Sequence, residues 1–490
     1  MIYLPCPLRA NTIACPQFPA VVTEQCSFTY QQLDNLLEML ISRLQAFNLV
    51  SQEPVALLCP SKFKSLLVIL ALWRMGITVC PLDHHLPSEN IFKAMRQIKS
   101  RRLIGLKNGP QWEEIGLIDI DLVTADLEAV ISAKTLPPTT TMNQYPFDQP
   151  ASIIFTSGSS GQPKAVLHTI AQHYYSAKGA NEFFSFQAQD RWLLALPLYH
   201  VSGLGIIWRA LLGRGCVAIA ELPTNIASIM EEFHPTHVSV VPTQLHRMVQ
   251  TAASPQAYCF LKVVLVGGEH VPLTLCQHAV AQHLPVYISY GLTEAASTVA
   301  VSQKLEGEKI SGPIEAHILN YREVKIAHDG EVLFRGQTLF QGYIDADGKY
   351  LPVDGDGWFP TGDTGYLTTR NTLVITGRKD NMFISGGENI QPEEIEQYLC
   401  QIEGVTRAIV VPMPDEEYGQ RPVALIKLSD DRRIDLTTLR GHLQRNLPKY
   451  KIPDFFYHWT QECDSVEGLK VNRIQLVDLM MDSRVQFKPF

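Results

Sequence analysis

Leu33, Leu36, Leu37, Met39, Leu40 and Leu44 recur at helical spacing behind Ser27, Thr29 and Tyr30, which predicts an amphipathic helix over residues 28–48. A short apolar run at 54–59 precedes a second helical stretch, and 78–82 forms another apolar run. Strand, helix, strand in that order predicts parallel βα units. The most apolar stretch, 66–72, is bounded by Lys62, Lys64 and Arg74. It falls far short of the ~20 residues that cross a bilayer, so it reads as a buried helix and no membrane insertion is expected.

Residues 134–150 collect Pro137, Pro138, Thr139, Thr140, Thr141, Pro146 and Pro150 without periodicity, which predicts a linker or surface loop. Apolar runs at 151–155, 192–196, 238–241 and 263–266 read as buried strands and suggest a doubly wound arrangement. From about 323 the texture changes to short strand-like pieces, 331–334 and 372–375, separated by Gly, Asp and Asn turns. Beyond Arg378, a helix at 392–399, strands at 408–411 and 423–428 and a helix at 436–447 form a compact α+β module. The expected fold is α/β. A large N-terminal domain, 1–378, holds doubly wound α/β subdomains and a small β-rich subdomain; a smaller α+β domain occupies 379–490.

With 490 residues, 46% hydrophobic and 18% charged, the chain has ample capacity for two cores and the texture of a globular enzyme. Its formal net charge of −8 offers no broad attraction to phosphate backbones, so nucleic acid is not an expected partner. None of the ten cysteines is at C-x-x-C spacing, and they read as buried small hydrophobes in a reducing compartment. The first residues show no basic region followed by an apolar core, so a cytoplasmic location is expected. Self-association is left open.

Candidate chemistry begins after the strand at 151–155. Thr156, Ser157, Gly158, Ser159, Ser160, Gly161, Gln162, Pro163 and Lys164 combine hydroxyls, glycines and one lysine in nine residues. Glycines let main-chain N–H groups approach phosphate oxygens, hydroxyls add donors, and the lysine adds a point charge. The spacing is not that of the common triphosphatase loop, because Lys164 follows Gly161 by three positions and Ala165 stands where a hydroxyl residue belongs. Alone, such a stretch is also what a surface loop looks like. Tyr290, Gly291, Leu292, Thr293 and Glu294 add an aromatic ring, a turn, a hydroxyl and a carboxylate, which suit a nucleotide and Mg²⁺. Thr361-Gly362-Asp363 offers a carboxylate for ribose hydroxyls, and Gly377-Arg378-Lys379-Asp380 marks the expected domain junction.

Together, in this order, these segments resemble the adenylate-forming superfamily of acyl-CoA synthetases, peptide-synthetase adenylation domains and luciferases. The resemblance covers 156–390 directly and extends to Gly386-Gly387-Glu388-Asn389-Ile390 and Lys470-Val471-Asn472-Arg473. It implies ATP, Mg²⁺ and coenzyme A as cofactor and co-substrates, and a small carboxylic acid as substrate. Residues 156–164 would hold the ATP phosphates, Gly267, Gly268, Glu269 and Tyr290 would flank the adenine, and Asp363 and Arg378 would hold the ribose. Thr156, Thr293 and Glu294 would contact phosphate and metal, Thr156 and Glu294 being the metal ligands. Asp380 would be the hinge, and Ser385, Gly386, Gly387 and Glu388 would form the segment presented to coenzyme A. The family's catalytic lysine falls on Lys470. Here Leu469 separates it from Gly468, although its spacing to Arg473 is kept.

Residues 196–209, 240–247 and 290–298 are similar to the corresponding segments of the o-succinylbenzoate–CoA ligases of menaquinone biosynthesis. That similarity implies an acid pocket around His200, Arg209, Ser289, Thr293 and Ser297. His200 would gate or orient the acid, unless it is a structural histidine. Arg209 offers a planar fork for a second carboxylate, and an ordinary salt bridge is the competing reading. No acidic residue lies between Leu194 and Arg209, which argues against an amino-acid substrate. Another aryl- or medium-chain acyl-CoA synthetase and a catalytically silent nucleotide-binding scaffold remain the alternative readings.

Overall fold

The structure is a computed structural model that describes all residues except 1, 107–115, 126–143, 157–162, 222–225, 251–257, 270, 308–312, 346, 387, 416, 430–432, 466–472 and 483–485. Two large sheets carry its N-terminal part. In the larger, Val286–Leu292, Val263–Val266, His237–Val240, Arg191–Leu193, Cys216–Ile219 and Pro19–Thr23 run parallel in that spatial order. This is the block expected from the apolar runs at 192, 238 and 263. The β-rich part expected from 323 onward is present, and its strands extend this sheet. Val286–Leu292 pairs antiparallel with Ser297–Ser302, followed by Ala316–Ile318, Thr372–Arg378, Phe359–Leu367, Glu331–Gly336 and Arg322–Ile326.

In the second sheet Val55–Leu58 pairs parallel with Val79–Pro81, and helix Lys62–Arg74 connects them, as the strand-helix-strand pattern predicts. Pro150–Thr156 lies beside Val79 and turns back antiparallel into Lys164–Thr169, which pairs in turn with Gly342–Ile344. One hydrophobic core takes residues from both sheets and from the helices, including Val21, Leu57, Leu67, Trp73, Trp208 and Val263. The first predicted helix spans Tyr30–Gln45. Thr29 and Gln32 form a capping box, with Gln32 N donating to the Thr29 hydroxyl at 3.2 Å and Thr29 N to Gln32 Oε1 at 2.9 Å, worth about 1 kcal/mol. Leu33, Leu36, Leu37, Leu40 and Leu44 are fully buried on its inner face.

The C-terminal part has its own sheet, in which Val405–Asp415 and Gly419–Leu428 pair antiparallel and Phe455–His458 adds in parallel. Helices Pro392–Leu399 and Leu436–Asn446 bury one apolar cluster, and Arg473–Met481 contributes Leu476 to another.

Two expectations need correction. The end of the proposed 134–150 linker is a strand: Gln144–Pro146 pairs with Tyr3–Pro5, because Tyr145 buries its ring and approaches Cys6 Sγ at 3.2 Å through its hydroxyl. Among the cysteines Cys259 is exposed, while Cys6, Cys80, Cys216, Cys276, Cys400 and Cys463 are buried as expected; all ten are free thiols.

Candidate active site

Thr156 and Lys164 end and begin adjacent strands and face each other as register partners, so the two ends of the glycine-rich loop are fixed side by side. Ser157, Gly158, Ser159, Ser160 and Gly161 lie outside the described residues. Lys164 Nζ lies 5.0 Å above the Tyr343 ring. Tyr343 reaches it because Gly342–Ile344 pairs with Lys164–Thr169, with Val166 opposite Tyr343. The Tyr343 hydroxyl donates to Glu294 Oε1 at 2.7 Å. Burial and the neighbouring carboxylate push the phenol above the usual tyrosine range, so it stays a donor.

Glu294 belongs to the single 3₁₀ turn Thr293–Ala295. His168 Nε2 donates to the Thr293 carbonyl at 2.7 Å, and the Phe340 amide donates to the Glu294 carbonyl at 2.8 Å, so the turn is tied at two points. The sequence reading missed Tyr343 and His168. Tyr343 is placed by strand pairing with Val166 and His168 by its side-chain bond to Thr293, both across more than a hundred residues, which no local pattern signals.

Asp363 and Arg378 are likewise register partners on neighbouring strands. Arg378 Nη1 donates to Asp363 Oδ1 at 3.0 Å, and the Tyr290 hydroxyl donates to Asp363 Oδ2 at 2.7 Å. Burial alone would lower the Arg378 pKa, but the carboxylates of Asp363 and Asp380 outweigh it and leave it above the ordinary arginine value. Arg378 Nη2 holds Asp380 Oδ2 at 3.1 Å, so one guanidinium links the Asp363 carboxylate to the expected hinge residue.

Gly267 follows strand Val263–Val266, and a Cβ there would meet Ser289 Oγ at 2.2 Å. The Ser289 hydroxyl is spent on the Val266 carbonyl at 3.1 Å. Gly268 has φ +92°, a conformation that favours glycine. Glu269 pairs at 3.6 Å with Arg407, which belongs to the C-terminal sheet. A Cβ on Gly291 would meet the Ser297 carbonyl at 2.2 Å, which lets the Tyr290 strand fold closely over the next one.

His200 directly precedes helix Val201–Leu212, with its ring 4.8 Å from that of Tyr199. Arg209 is on that helix and only 1% exposed. Its Nη2 donates to Thr298 Oγ1 at 3.0 Å, and its guanidinium lies 4.9 Å from the Trp192 ring. Burial pulls its pKa down to about 10, so it is charged at neutral pH, yet it pairs with no carboxylate among the described residues. Of the two readings of this arginine, the salt bridge is therefore not found there. A Cβ on Gly205 would lie 3.8 Å from both Arg209 Nη2 and Ser297 Oγ, so Arg209, Ser297 and Thr298 line one small region. Sequence reading missed Thr298 and Trp192, which hold the guanidinium.

Residues 9–344 match the AMP-binding enzyme family, and 394–464 match the AMP-binding enzyme C-terminal domain. The chain belongs to the AMP-binding enzyme family. It is 33% identical over 461 residues to the 2-succinylbenzoate–CoA ligase of Haemophilus influenzae, covering 93% of each chain. It is 34% identical over 415 residues to that of Salmonella typhimurium, covering 84% of each. Among solved structures, Escherichia coli MenE bound to an m-phenylether-linked analogue of OSB-AMS superposes with a TM-score of 0.80 at 28% identity, covering 98% of this chain and 99% of that one. The Bacillus subtilis o-succinylbenzoate coenzyme A synthetase in complex with ATP and magnesium gives 0.81 at 25% identity, covering 94% and 96%.

In this AMP-binding enzyme the hinge candidate Asp380 lies in the 3₁₀ turn Lys379–Asn381. Strands Phe383–Ser385 and Glu388–Ile390 form a hairpin that pairs Ser385 with Glu388, and Arg421 Nη1 donates to Ser385 Oγ at 3.2 Å. Gly386 has φ +57°, and its amide donates to the Tyr418 carbonyl at 3.0 Å. Gly387 and Lys470 lie outside the described residues. Arg473, three positions after Lys470, opens a helix and grips both Glu396 oxygens at 2.6 and 2.7 Å. Among the described residues no helix is long and apolar enough to cross a membrane.

Proposed function

We propose that this AMP-binding enzyme activates 2-succinylbenzoate: it is an AMP-forming acid–CoA ligase that makes the acyl-adenylate with release of pyrophosphate and then the coenzyme A thioester, a step of menaquinone biosynthesis. The observation that carries the acid's identity is Arg209, a buried, charged guanidinium with no carboxylate partner among the described residues, held by Thr298 and Trp192. A dicarboxylic acid completes such a site; a fatty acid or benzoate does not. The near full-length similarity to 2-succinylbenzoate–CoA ligases supports the same reading.

Residues 156–164 cradle the ATP phosphates, with Lys164 adding charge. Asp363 accepts from the ribose hydroxyls while Arg378 holds the carboxylate in place. Gly267, Gly268, Glu269, Tyr290 and Gly291 border the adenine, and the glycines keep that wall free of side chains. The oxygen-donor set of Thr156 and Glu294 suits a hard cation: Tyr343 occupies one Glu294 oxygen and the other has no protein partner among the described residues. Magnesium bound there supplies neutralisation of phosphate charge.

Arg209 holds the second carboxylate of the acid, and the reacting carboxylate, oriented by His200 and Ser297, attacks the α-phosphorus while the bond to the departing pyrophosphate breaks. Lys470 stabilises the charge that accumulates on the phosphate oxygens. The coenzyme A thiol then attacks the acyl carbon, and AMP leaves with the bridging oxygen. Between the steps the domain beginning at 379 turns about Asp380, bringing the Ser385–Glu388 hairpin towards the acyl group.

The test is direct. The protein is incubated with ATP, Mg²⁺, coenzyme A and, separately, 2-succinylbenzoate, benzoate or octanoate, with thioesters read by mass and AMP by chromatography. Selective turnover of the first acid is the expected result. Equal or faster turnover of either other acid overturns the substrate, and no AMP with any acid overturns the ligase.

A further inference from the structure

Strand Val79–Pro81 runs into a loop that begins Leu82, Asp83, His84 and His85, and helix Ser88–Gln97 follows. The Leu82 amide still donates to the Leu57 carbonyl at 2.9 Å, which anchors the loop to the sheet. Asp83 then turns the chain: its Oδ1 accepts the His85 amide at 3.0 Å, and its carbonyl accepts the Leu86 amide at 3.2 Å. This turn brings the His85 ring back to the same carboxylate, with Nδ1 3.0 Å from Asp83 Oδ1. His84 Nδ1 lies 4.0 Å from that oxygen, and the two imidazole rings are 3.9 Å apart.

A hydrogen-bonded turn accounts for Asp83 and His85. It does not account for His84, which faces the same oxygen from beyond hydrogen-bond distance. Among the described residues no lysine or arginine pairs with Asp83, and these three are the one set of three His, Cys, Asp or Glu side chains whose ligand atoms all lie within 4.8 Å of one another. Two imidazole nitrogens and a carboxylate oxygen suit a borderline transition cation better than Mg²⁺, which takes oxygens. Ligand atoms around tetrahedral Zn²⁺ sit about 3.4 Å apart. The 3.0 and 4.0 Å separations bracket that value, so small ring rotations close the set. The His85 side chain is 76% exposed and has room to turn, and solvent supplies the fourth ligand.

We infer that Asp83, His84 and His85 bind a divalent transition cation of the Zn²⁺ class, at a site built from other residues than the magnesium ligands Thr156 and Glu294. The site does not depend on which acid the enzyme activates. Bound metal replaces the hydrogen bond between His85 and Asp83 and fastens the loop after Val79–Pro81 as one chelate.

The experiment is a calorimetric titration of the full chain with Zn²⁺ in excess Mg²⁺, using wild type, His84→Ala, His85→Ala and Asp83→Asn. Asparagine keeps an oxygen for the His85 amide and drops the charge. Wild type should bind Zn²⁺ saturably despite the Mg²⁺, and each variant should bind about tenfold more weakly or worse, because each loses one of three protein ligands. Unchanged affinity in His84→Ala or in His85→Ala overturns the inference, since the metal then sits elsewhere or on fewer ligands. Absence of saturable binding by wild type overturns it too, as does displacement by Mg²⁺, which marks an oxygen site. Both histidines are exposed, so their variants keep the fold and decide the matter even if Asp83→Asn does not accumulate.

Discussion

The Tyr343 hydroxyl donates at 2.7 Å to Oε1 of Glu294, and the same ring lies 5.0 Å beneath Lys164 Nζ. One phenol thus touches both the lysine that ends the glycine-rich loop and the carboxylate assigned to magnesium. Tyr343→Phe keeps the ring under Lys164 and removes one donor from Glu294. A hydrogen bond to an ionised group contributes about 1.5–3 kcal/mol. Adenylation should slow roughly 10- to 100-fold and require more Mg²⁺. Pyrophosphate exchange across a Mg²⁺ titration reads both effects, and an unshifted titration removes Tyr343 from the site.

Tyr343 also marks the limit of what the sequence discloses. Thr156, Lys164, Glu294, Asp363 and Arg378 could be named because each stands in a short motif whose residue types carry their own chemistry. Tyr343 stands in a three-residue strand with no such motif, and its partners are set by pairing with residue 166. Arg209 was visible as a residue but ambiguous in role, since an arginine on an apolar helix reads equally as a salt bridge until its surroundings are known. The parallel βα order was legible from apolar runs. The strand Gln144–Pro146 was not, because its segment is rich in Pro and Thr and its stability comes from the distant Tyr3–Pro5.

His168 makes the nucleotide side sensitive to acid. Burial pulls its pKa from 6.5 to about 4, and the neutral ring donates Nε2–H to the Thr293 carbonyl. Between those values the unfolded chain takes up a proton that the folded chain refuses. Stability from this group is therefore complete above pH 6.5 and is lost as pH falls towards 4, by about 3 kcal/mol over the whole window. Urea unfolding of wild type should weaken from pH 7 to pH 5, and His168→Gln, which does not titrate and keeps an N–H donor, should show a flatter profile. An identical slope in the two proteins would assign the acid sensitivity to other groups.

Arg209 offers a sharper test of the acid pocket than of the fold. Arg209→Ala removes the charged fork and leaves Thr298 and Trp192 in place; kcat/KM for 2-succinylbenzoate should drop about a hundredfold while KM for ATP is unchanged. Arg209→Lys should recover only part of the loss, since an ammonium cannot present two parallel donors to one carboxylate. Steady-state kinetics with each substrate varied in turn separates these outcomes. A parallel rise in KM for ATP would place Arg209 in the general scaffold instead.

In the C-terminal domain Arg473 is buried against Glu396, with Glu393 Oε1 3.4 Å from the same guanidinium. Arg473 donates to both oxygens of Glu396, whose Oε1 also accepts the Val410 amide at 2.7 Å. Arg473→Met would leave the buried carboxylate with that amide as its remaining donor among these partners, and truncating one side of such a pair costs about 3–5 kcal/mol. Burial lifts the Glu396 carboxyl to about 7 even beside Arg473, so without the arginine it takes up a proton near neutral pH; the loss should grow at alkaline pH, where Glu396→Gln should recover more than half of it. Hydrogen exchange on helix Pro392–Leu399, which carries Glu396, reads this locally without requiring the whole chain to unfold. Arg473 also fixes the chain three residues beyond Lys470, so adenylation should fall in Arg473→Met by more than thioester formation from a supplied acyl-adenylate. Additive stability losses in the double variant, or equal loss of both half-reactions, would show that the pair anchors neither the domain nor its lysine.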